Sequence, residues 1–103
     1  MKKVINRKVY DTERAELLHS SQYSNPSDFN YVVEGLYRTS KGSFFLYGEG
    51  GPSSHYSRRV DQNSWSGGDG FTVLTEDQAI KWLEHHGGDQ IILHYFPGKV
   101  EEA

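Results

Sequence analysis

The sequence predicts an α+β domain that contains an antiparallel sheet of four to six strands and two helices. Residues 29–39 and 43–47 are aromatic and β-branched runs separated by Ser40-Lys41-Gly42, which is the composition of a β-hairpin. A Thr-Glu-Asp-Gln segment starting at Thr75 matches the N-terminus of a helix. A length of 103 residues accommodates one domain, so residues 1–103 are expected to form a single unit.

The first strand is expected within residues 3–10, because Val4, Ile5, Val9 and Tyr10 are all good strand formers. Asn6-Arg7 in its middle is a turn candidate, although a tight hairpin normally has Gly after the Asn. Both a hairpin and a bent single strand therefore fit this segment.

A short helix is predicted after the first strand. Asp11 or Thr12 can cap it, and acidic residues follow in its first turn, where the helix dipole favours them. Leu17 and Leu18 supply apolar contacts, and the helix should fade through residues 19–23. Asn25-Pro26 then ends the helix, because proline disfavours a helical residue before it.

The central hairpin is predicted with its register. Gly42 can adopt the left-handed conformation that a three-residue loop needs. With that loop the cross-strand pairs are Arg38 with Phe44, Tyr37 with Phe45 and Leu36 with Leu46. Gly35 in the first arm indicates a bulge or the close approach of another element.

The second half alternates between a long loop and regular elements. Residues 48–70 are rich in Gly and Ser and predict a loop in which residues 55–60 form a short strand at most. A brief strand is expected over residues 71–74, then a helix from Thr75 to Gly87-Gly88. Residues 89–96 hold several aliphatic and aromatic side chains and predict a buried strand ended by Pro97-Gly98.

The predicted core draws residues from most of the predicted elements. Its members are Val9, Leu18, Val33, Tyr37, Phe45, Leu46, Trp82, Leu83, Ile92 and Tyr95.

Composition excludes several function classes. The absence of cysteine excludes a disulfide scaffold, a thiol nucleophile and a cysteine zinc site, and it fits a reducing cytosol. No apolar run approaches the length of a membrane helix, and no signal peptide is expected, so the predicted location is the cytoplasm. The net charge is −3, with seven Lys/Arg against six Asp/Glu in residues 1–52 and four against eight in residues 53–103.

No catalytic constellation, cofactor site or metal site is predicted. His85 and His86 are adjacent, so they diverge on a helix and need further ligands to hold a metal. Ser53-Ser54-His55 lacks the nucleophile elbow of a serine hydrolase, and the Gly-rich segment 48–52 lacks the Lys-Ser/Thr ending of a phosphate loop. Glu34 and Glu49 are expected nearly opposite each other across the hairpin, and strand glutamates facing solvent are the default interpretation.

The segment from residue 56 to residue 65 is the main candidate for recognition, because Arg, Tyr and Trp are enriched at the hot spots of protein interfaces. These aromatic side chains can equally fold back over the sheet as a lid. The predicted partner-binding residues are Tyr56, Arg58, Arg59, Asn63 and Trp65. The carboxylates of residues 76–102 form a second candidate surface.

Most of the chain resembles a family of small bacterial proteins associated with mobile elements. The most distinctive shared motif is residues 44–52. The others are residues 4–6, 10–13, 28–29, 34–39, 41–42, 74–76 and 79–84. Asn6-Arg7-Lys8 departs from the Asn-Gly-Lys of that pattern. In size and composition the chain also resembles the anti-CRISPR inhibitors carried by phages and mobile elements. This resemblance transfers no functional residue.

The lack of a catalytic constellation and the composition of residues 56–65 predict a non-enzymatic binding protein. The resemblance implies an anti-CRISPR inhibitor that acts by protein–protein contact with a CRISPR effector complex. The alternative is a nucleic-acid-binding accessory protein, although a net charge of −3 then requires a segregated basic face. That alternative would use Lys2, Lys3, Arg7, Lys8, Arg58 and Arg59.

Overall fold

The computed structural model describes all 103 residues and confirms the predicted α+β class. Its central sheet has four antiparallel strands in the order β3-β4-β5-β8, and two short hairpins, β1-β2 and β6-β7, flank it. The strands are β1 (Lys2–Ile5), β2 (Lys8–Asp11), β3 (Glu16–Tyr23), β4 (Val32–Arg38), β5 (Phe44–Gly50), β6 (Arg58–Arg59), β7 (Trp65–Ser66) and β8 (Gly68–Leu74). The helices are α1 (Glu76–His85) and α2 (Asp89–Tyr95), followed by a 3₁₀ turn at Pro97–Lys99.

The N-terminal segment is a hairpin rather than a bent strand. Asn6 and Arg7 form its turn with φ angles of 52° and 64°, the left-handed values that a two-residue turn between antiparallel strands requires. The prediction that Val9 lies in the core is wrong. Val9 pairs with Val4 on the outer face of the hairpin and is 58% exposed, because the neighbouring Tyr10 takes the inward position against the sheet.

The helix predicted after residue 11 is wrong, and the chain forms strand β3 there. The Asp11 carboxylate accepts a hydrogen bond from the Glu13 N–H, and the Asp11 carbonyl accepts one from Ala15, so the expected cap closes a single turn. From Glu16 the backbone pairs with β4 instead. Leu18 becomes the buried residue of this strand.

The β4–β5 hairpin confirms the predicted register, with Arg38 opposite Phe44, Tyr37 opposite Phe45 and Leu36 opposite Leu46. Gly42 has a φ of 86°, as its loop requires. The bulge considered at Gly35 lies in the adjacent strand β3, between Leu17 and His19. A Cβ on Gly35 would lie 3.0 Å from Leu17, so the close approach expected there is present.

The capping box at Thr75 is present. Its hydroxyl accepts a hydrogen bond from the Gln78 N–H at 3.2 Å, and the Gln78 side chain accepts one from the Thr75 N–H at 2.8 Å. Gly87, with a φ of 74°, ends the segment. The strand predicted over residues 89–96 is wrong, because these residues form α2, which places Ile92 and Phe96 one turn apart in the core.

The helices cover one face of the sheet and enclose the main core there. The buried cluster comprises Leu18, Leu36, Phe44, Leu46, Ala79, Leu83, Ile92 and Phe96. Of the other predicted core residues, Phe45 is buried on the opposite face, while Val33, Tyr37, Trp82 and Tyr95 are half-buried. Neither helix is long and apolar enough to cross a membrane.

The opposite face of the sheet carries a line of aromatic rings. Phe45 is fully buried between Tyr37, whose ring stacks on it at a centroid distance of 5.1 Å, and Phe71 at 5.7 Å. Tyr10 of β2 meets the Phe45 ring edge-on at 5.4 Å. This contact fastens the N-terminal hairpin to the sheet.

Candidate partner-binding surface

The segment predicted as a loop from 48 to 70 is shorter and more ordered than expected. Strand β5 continues to Gly50 and β8 begins at Gly68, so both ends of the segment belong to the central sheet. Between them β6 and β7 pair as a small antiparallel ladder, and the Val60 N–H donates to the Ser64 carbonyl at 3.1 Å. Residues 58–66 are called the tip hairpin below. Of the short strand expected over residues 55–60, only Arg58–Arg59 forms.

Tyr56 anchors the base of the tip hairpin and is buried, with 9% of its surface exposed. Its ring lies against the backbone of β5, where a Cβ on Gly48 would collide with the Tyr56 side chain. The lid interpretation therefore applies to Tyr56, although it was predicted to contact a partner. Glycine at position 48 is what lets the ring approach the strand so closely.

Glu34 connects the loop to the helices. One of its carboxylate oxygens accepts a hydrogen bond from the Tyr56 hydroxyl at 2.5 Å and lies 3.4 Å from His55 Nε2. The other accepts the indole N–H of Trp82 in α1 at 3.3 Å. The predicted proximity to Glu49 is wrong for the side chains, because Glu34 pairs with Gly48 and successive strand residues point to opposite faces.

Burial, together with the hydrogen bond to Glu34, raises the pKa of Tyr56 far above its ordinary value. The phenol is protonated at neutral pH and donates a hydrogen bond to the Glu34 carboxylate. This arrangement holds the base of the loop and consumes the hydrogen-bonding capacity of the Tyr56 hydroxyl within the protein.

The tip hairpin exposes the other predicted residues. Trp65 is 54% exposed and lies opposite Arg59 in the β6–β7 ladder. The Arg59 guanidinium donates to the carbonyls of Asp61 and Gln62 at 3.0 and 2.9 Å, which closes the turn. Asn63 is exposed, and its N–H donates to the Asp61 carboxylate at 2.9 Å. Arg59 and Asn63 therefore shape the tip, and Trp65 is its large exposed side chain.

Arg58 lies on the other side of the ladder from Trp65. Its guanidinium is 3.7 Å from the Asp69 carboxylate, which also accepts a hydrogen bond from the Tyr47 hydroxyl at 2.8 Å. Desolvation and the bond to Asp69 raise the pKa of Tyr47 to about 12, so this phenol also stays protonated. Because Arg58 is two-thirds exposed, it can reach a partner while resting on Asp69.

One exposed residue at the tip was missed. Val60 is 59% exposed and extends the apolar surface of the hairpin beside the arginines. Its neighbours in the sequence are polar and carry no alternating pattern, so only the observed hairpin shows that Val60 directly follows β6 and bonds across to Ser64.

The remaining polar clusters have structural contacts. Ser54 Oγ donates to the Gly51 carbonyl at 2.7 Å and accepts the Tyr56 N–H, so this hydroxyl shapes the loop. The His86 ring nitrogen Nδ1 lies 2.8 Å from the Trp82 carbonyl, and its ring stacks on the indole at 4.4 Å. No group of three or more His, Asp or Glu side chains is arranged to hold a metal ion.

Substituting Tyr56 with phenylalanine should lower the free energy of unfolding by about 1.5–3 kcal/mol, because a hydrogen bond to a carboxylate is lost. Urea denaturation measures the change. Tyr23→Phe is the matched control, since Tyr23 is 66% exposed and should change stability by less than about 0.5 kcal/mol. Equal effects of the two substitutions would contradict the anchoring role of Tyr56.

No protein-family model, no curated protein and no solved structure matches this chain.

Proposed function

We propose that this protein is a non-catalytic binding protein whose tip hairpin contacts a protein partner. The observation that carries the proposal is Trp65, a large aromatic side chain that stands 54% exposed on a two-stranded ladder, with Arg59 opposite it and Arg58 on the other side of the ladder. Tryptophan and arginine dominate the binding energy of protein interfaces, where they insert into pockets of the partner.

The anchoring of the tip supports this role. Tyr56 fixes the base of the loop against β5, and the Arg59 guanidinium fixes its turn, so the exposed side chains are held before binding. A surface that is ordered in the free protein loses less conformational entropy on association. The tip hairpin therefore has both the residue types and the rigidity of a recognition element.

The partner that we propose is a CRISPR effector complex, and its support is the resemblance of the chain to small mobile-element proteins and anti-CRISPR inhibitors. Such an inhibitor acts by occupying a surface that the complex needs, and a projecting hairpin is suited to that kind of obstruction. A modest net charge of −3 favours the tip over mimicry of DNA by the acidic second half.

A plasmid-interference assay tests this function. Expression of the protein in cells with an active CRISPR system should restore transformation by a plasmid that carries a matching target. The same cells transformed with a non-target plasmid supply the control. Unchanged interference in type I, type II and type V systems would exclude a CRISPR effector as the partner and leave the tip hairpin to be tested against other proteins.

The alternative, nucleic-acid binding through six basic residues, receives less support from their placement. Arg7 and Lys8 lie near Ser43, which immediately precedes β5. Arg58 lies beside Asp69, and Asp69 pairs with Glu49 near the other end of β5. Ser43 and Glu49 are six residues apart along the strand, or about 20 Å. The six residues are thus divided between two ends of the sheet.

A further inference from the structure

A cleft opens between the N-terminal hairpin and the β4–β5 loop, at the end of the sheet away from the tip hairpin. Its volume is about 570 Å³. Four cationic side chains from three separate parts of the chain line it, together with the hydroxyl residues of the β4–β5 loop. The cations of this basic cleft are Arg7, Lys8, Arg14 and Lys41.

Positive charge in the basic cleft is not compensated within the protein. None of the four cations takes part in an ion pair, since the cations that do so are Lys2, His55, Arg58 and Lys99. The one acidic residue in the lining is Asp11, which is buried. Its carboxylate accepts the Glu13 N–H at 2.9 Å and lies 4.0 Å from Lys2 Nζ. The cleft is therefore a segregated basic site in a protein of net negative charge.

The segments that carry these cations are ordered turns. Arg7 itself occupies the left-handed turn between β1 and β2. The N–H of Arg14 donates to the Asp11 carbonyl at 3.2 Å, and the loop that holds Lys41 is closed by hydrogen bonds between Thr39 and Ser43 of 2.8 and 3.0 Å. The backbone thus holds four like charges around one cleft, an arrangement that an anion stabilises.

We propose that the basic cleft binds phosphate groups. Arginine forms paired hydrogen bonds to phosphate oxygens and lysine contributes point charge, while Thr39, Ser40 and Ser43 bring hydroxyls to the same lining. The phosphates come either from a free polyphosphate or from the backbone of a nucleic acid, which share this chemistry. The site lies apart from the tip hairpin and does not depend on the function proposed for it.

Isothermal titration calorimetry at low salt tests the proposal with inorganic tripolyphosphate and with a short single-stranded oligothymidylate. The double variant Arg14→Gln, Lys41→Gln should bind at least about tenfold more weakly than the unaltered protein, because two charge-assisted contacts are removed. The matched control is Lys81→Gln, Lys99→Gln, which removes the same charge outside the cleft and should bind as the unaltered protein does.

The outcomes separate the two sources of phosphate. Binding of tripolyphosphate alone supports a free polyphosphate, and binding of oligothymidylate supports a nucleic-acid backbone. In the second case the slope of log affinity against log salt should become shallower by about 1.4 in the cleft variant, since each phosphate contact on a single strand contributes about 0.7.

Failure of the unaltered protein to bind either probe would overturn the proposal. Equal weakening of the cleft variant and the control would also overturn it, because long-range charge would then explain the binding. Circular dichroism shows that each variant is folded. The variant Arg58→Ala, Trp65→Ala should retain phosphate binding, which keeps this test distinct from that of the tip hairpin.

Discussion

Replacing Arg58 and Trp65 together with alanine should weaken binding of the effector complex by at least about 30-fold, because truncation of one interface hot spot costs about 2 kcal/mol or more. Stability should change by no more than about 1 kcal/mol, since the ion pair of Arg58 with Asp69 is exposed and Trp65 is largely in solvent. Arg59 is left in place because its guanidinium closes the turn. The interference assay, direct binding to the purified complex and thermal melting measure these effects.

The matched control for this double variant is Lys81→Ala, Leu93→Ala. It removes one cation and one large apolar side chain, and Leu93 is 55% exposed, as Trp65 is 54%. The control should block interference as the unaltered protein does. If the tip variant unfolds, Trp65 is part of the core. If it stays folded and active, the acidic surface becomes the better candidate, and charge reversal at Glu76, Asp77 and Glu84 is the next experiment.

Phe45→Ala should lower the free energy of unfolding by about 3–5 kcal/mol, the usual range for deleting a buried ring. Phe45 is fully buried, and the rings of Tyr10, Tyr37 and Phe71 all contact it. The melting temperature should fall by at least about 12 °C, because each kcal/mol shifts a domain of this size by roughly 4–8 °C. Calorimetry and urea denaturation measure the loss.

The same substitution at an exposed position provides the control. Phe29 is 69% exposed, so Phe29→Ala should change stability by less than about 0.5 kcal/mol. Because Tyr10 rests on Phe45, the Phe45 variant should also lose hydrogen-exchange protection first in β1 and β2. Uniform loss of protection across all strands would contradict the role of Phe45 as the fastening point of the N-terminal hairpin.

Local signals predicted the β4–β5 hairpin and the start of α1 correctly. Gly42 and the flanking aromatic runs determine the register of this hairpin. A shift of one residue would move every apolar side chain of a strand to the other face of the sheet. The capping box at Thr75 satisfies its own backbone groups and needs no tertiary contact. Both signals operate over a few residues, which is why the sequence alone reveals them.

Segments whose conformation depends on tertiary contacts were predicted wrongly. Glu16–Tyr23 has a cap and acidic residues before it, as a helix would, yet it pairs along most of its length with β4. Asp89–Tyr95 contains adjacent isoleucines, as a strand would. A helix there follows α1 after the short Gly87-Gly88 link and brings Ile92 and Phe96 to the core. Short apolar runs fit both structures, and packing decides between them.

The candidate sites show the same division. Arg58 and Trp65 were predicted as partner-binding residues from residue type alone, whereas the burial of Tyr56 follows from contacts with Glu34 and Gly48 that are distant in the sequence. The basic cleft was missed because Arg14 and Lys41 come together only when β3 adopts a strand beside β4. With a helix predicted in place of β3, nothing in the sequence indicated that Arg14 and Lys41 are neighbours.

Because Tyr56 is buried, the base and the tip of its loop differ in the substitutions that they tolerate. A side chain added at Gly48, at the base, would collide with Tyr56, whereas most side chains of the tip are exposed to solvent. Substitutions at exposed tip positions such as Val60 and Trp65 should therefore leave the scaffold intact, whereas Arg59 and Asn63 make the hydrogen bonds that close the turn. In evolutionary terms, those exposed positions can diverge at little cost to folding, whereas the tightly packed base tolerates little change.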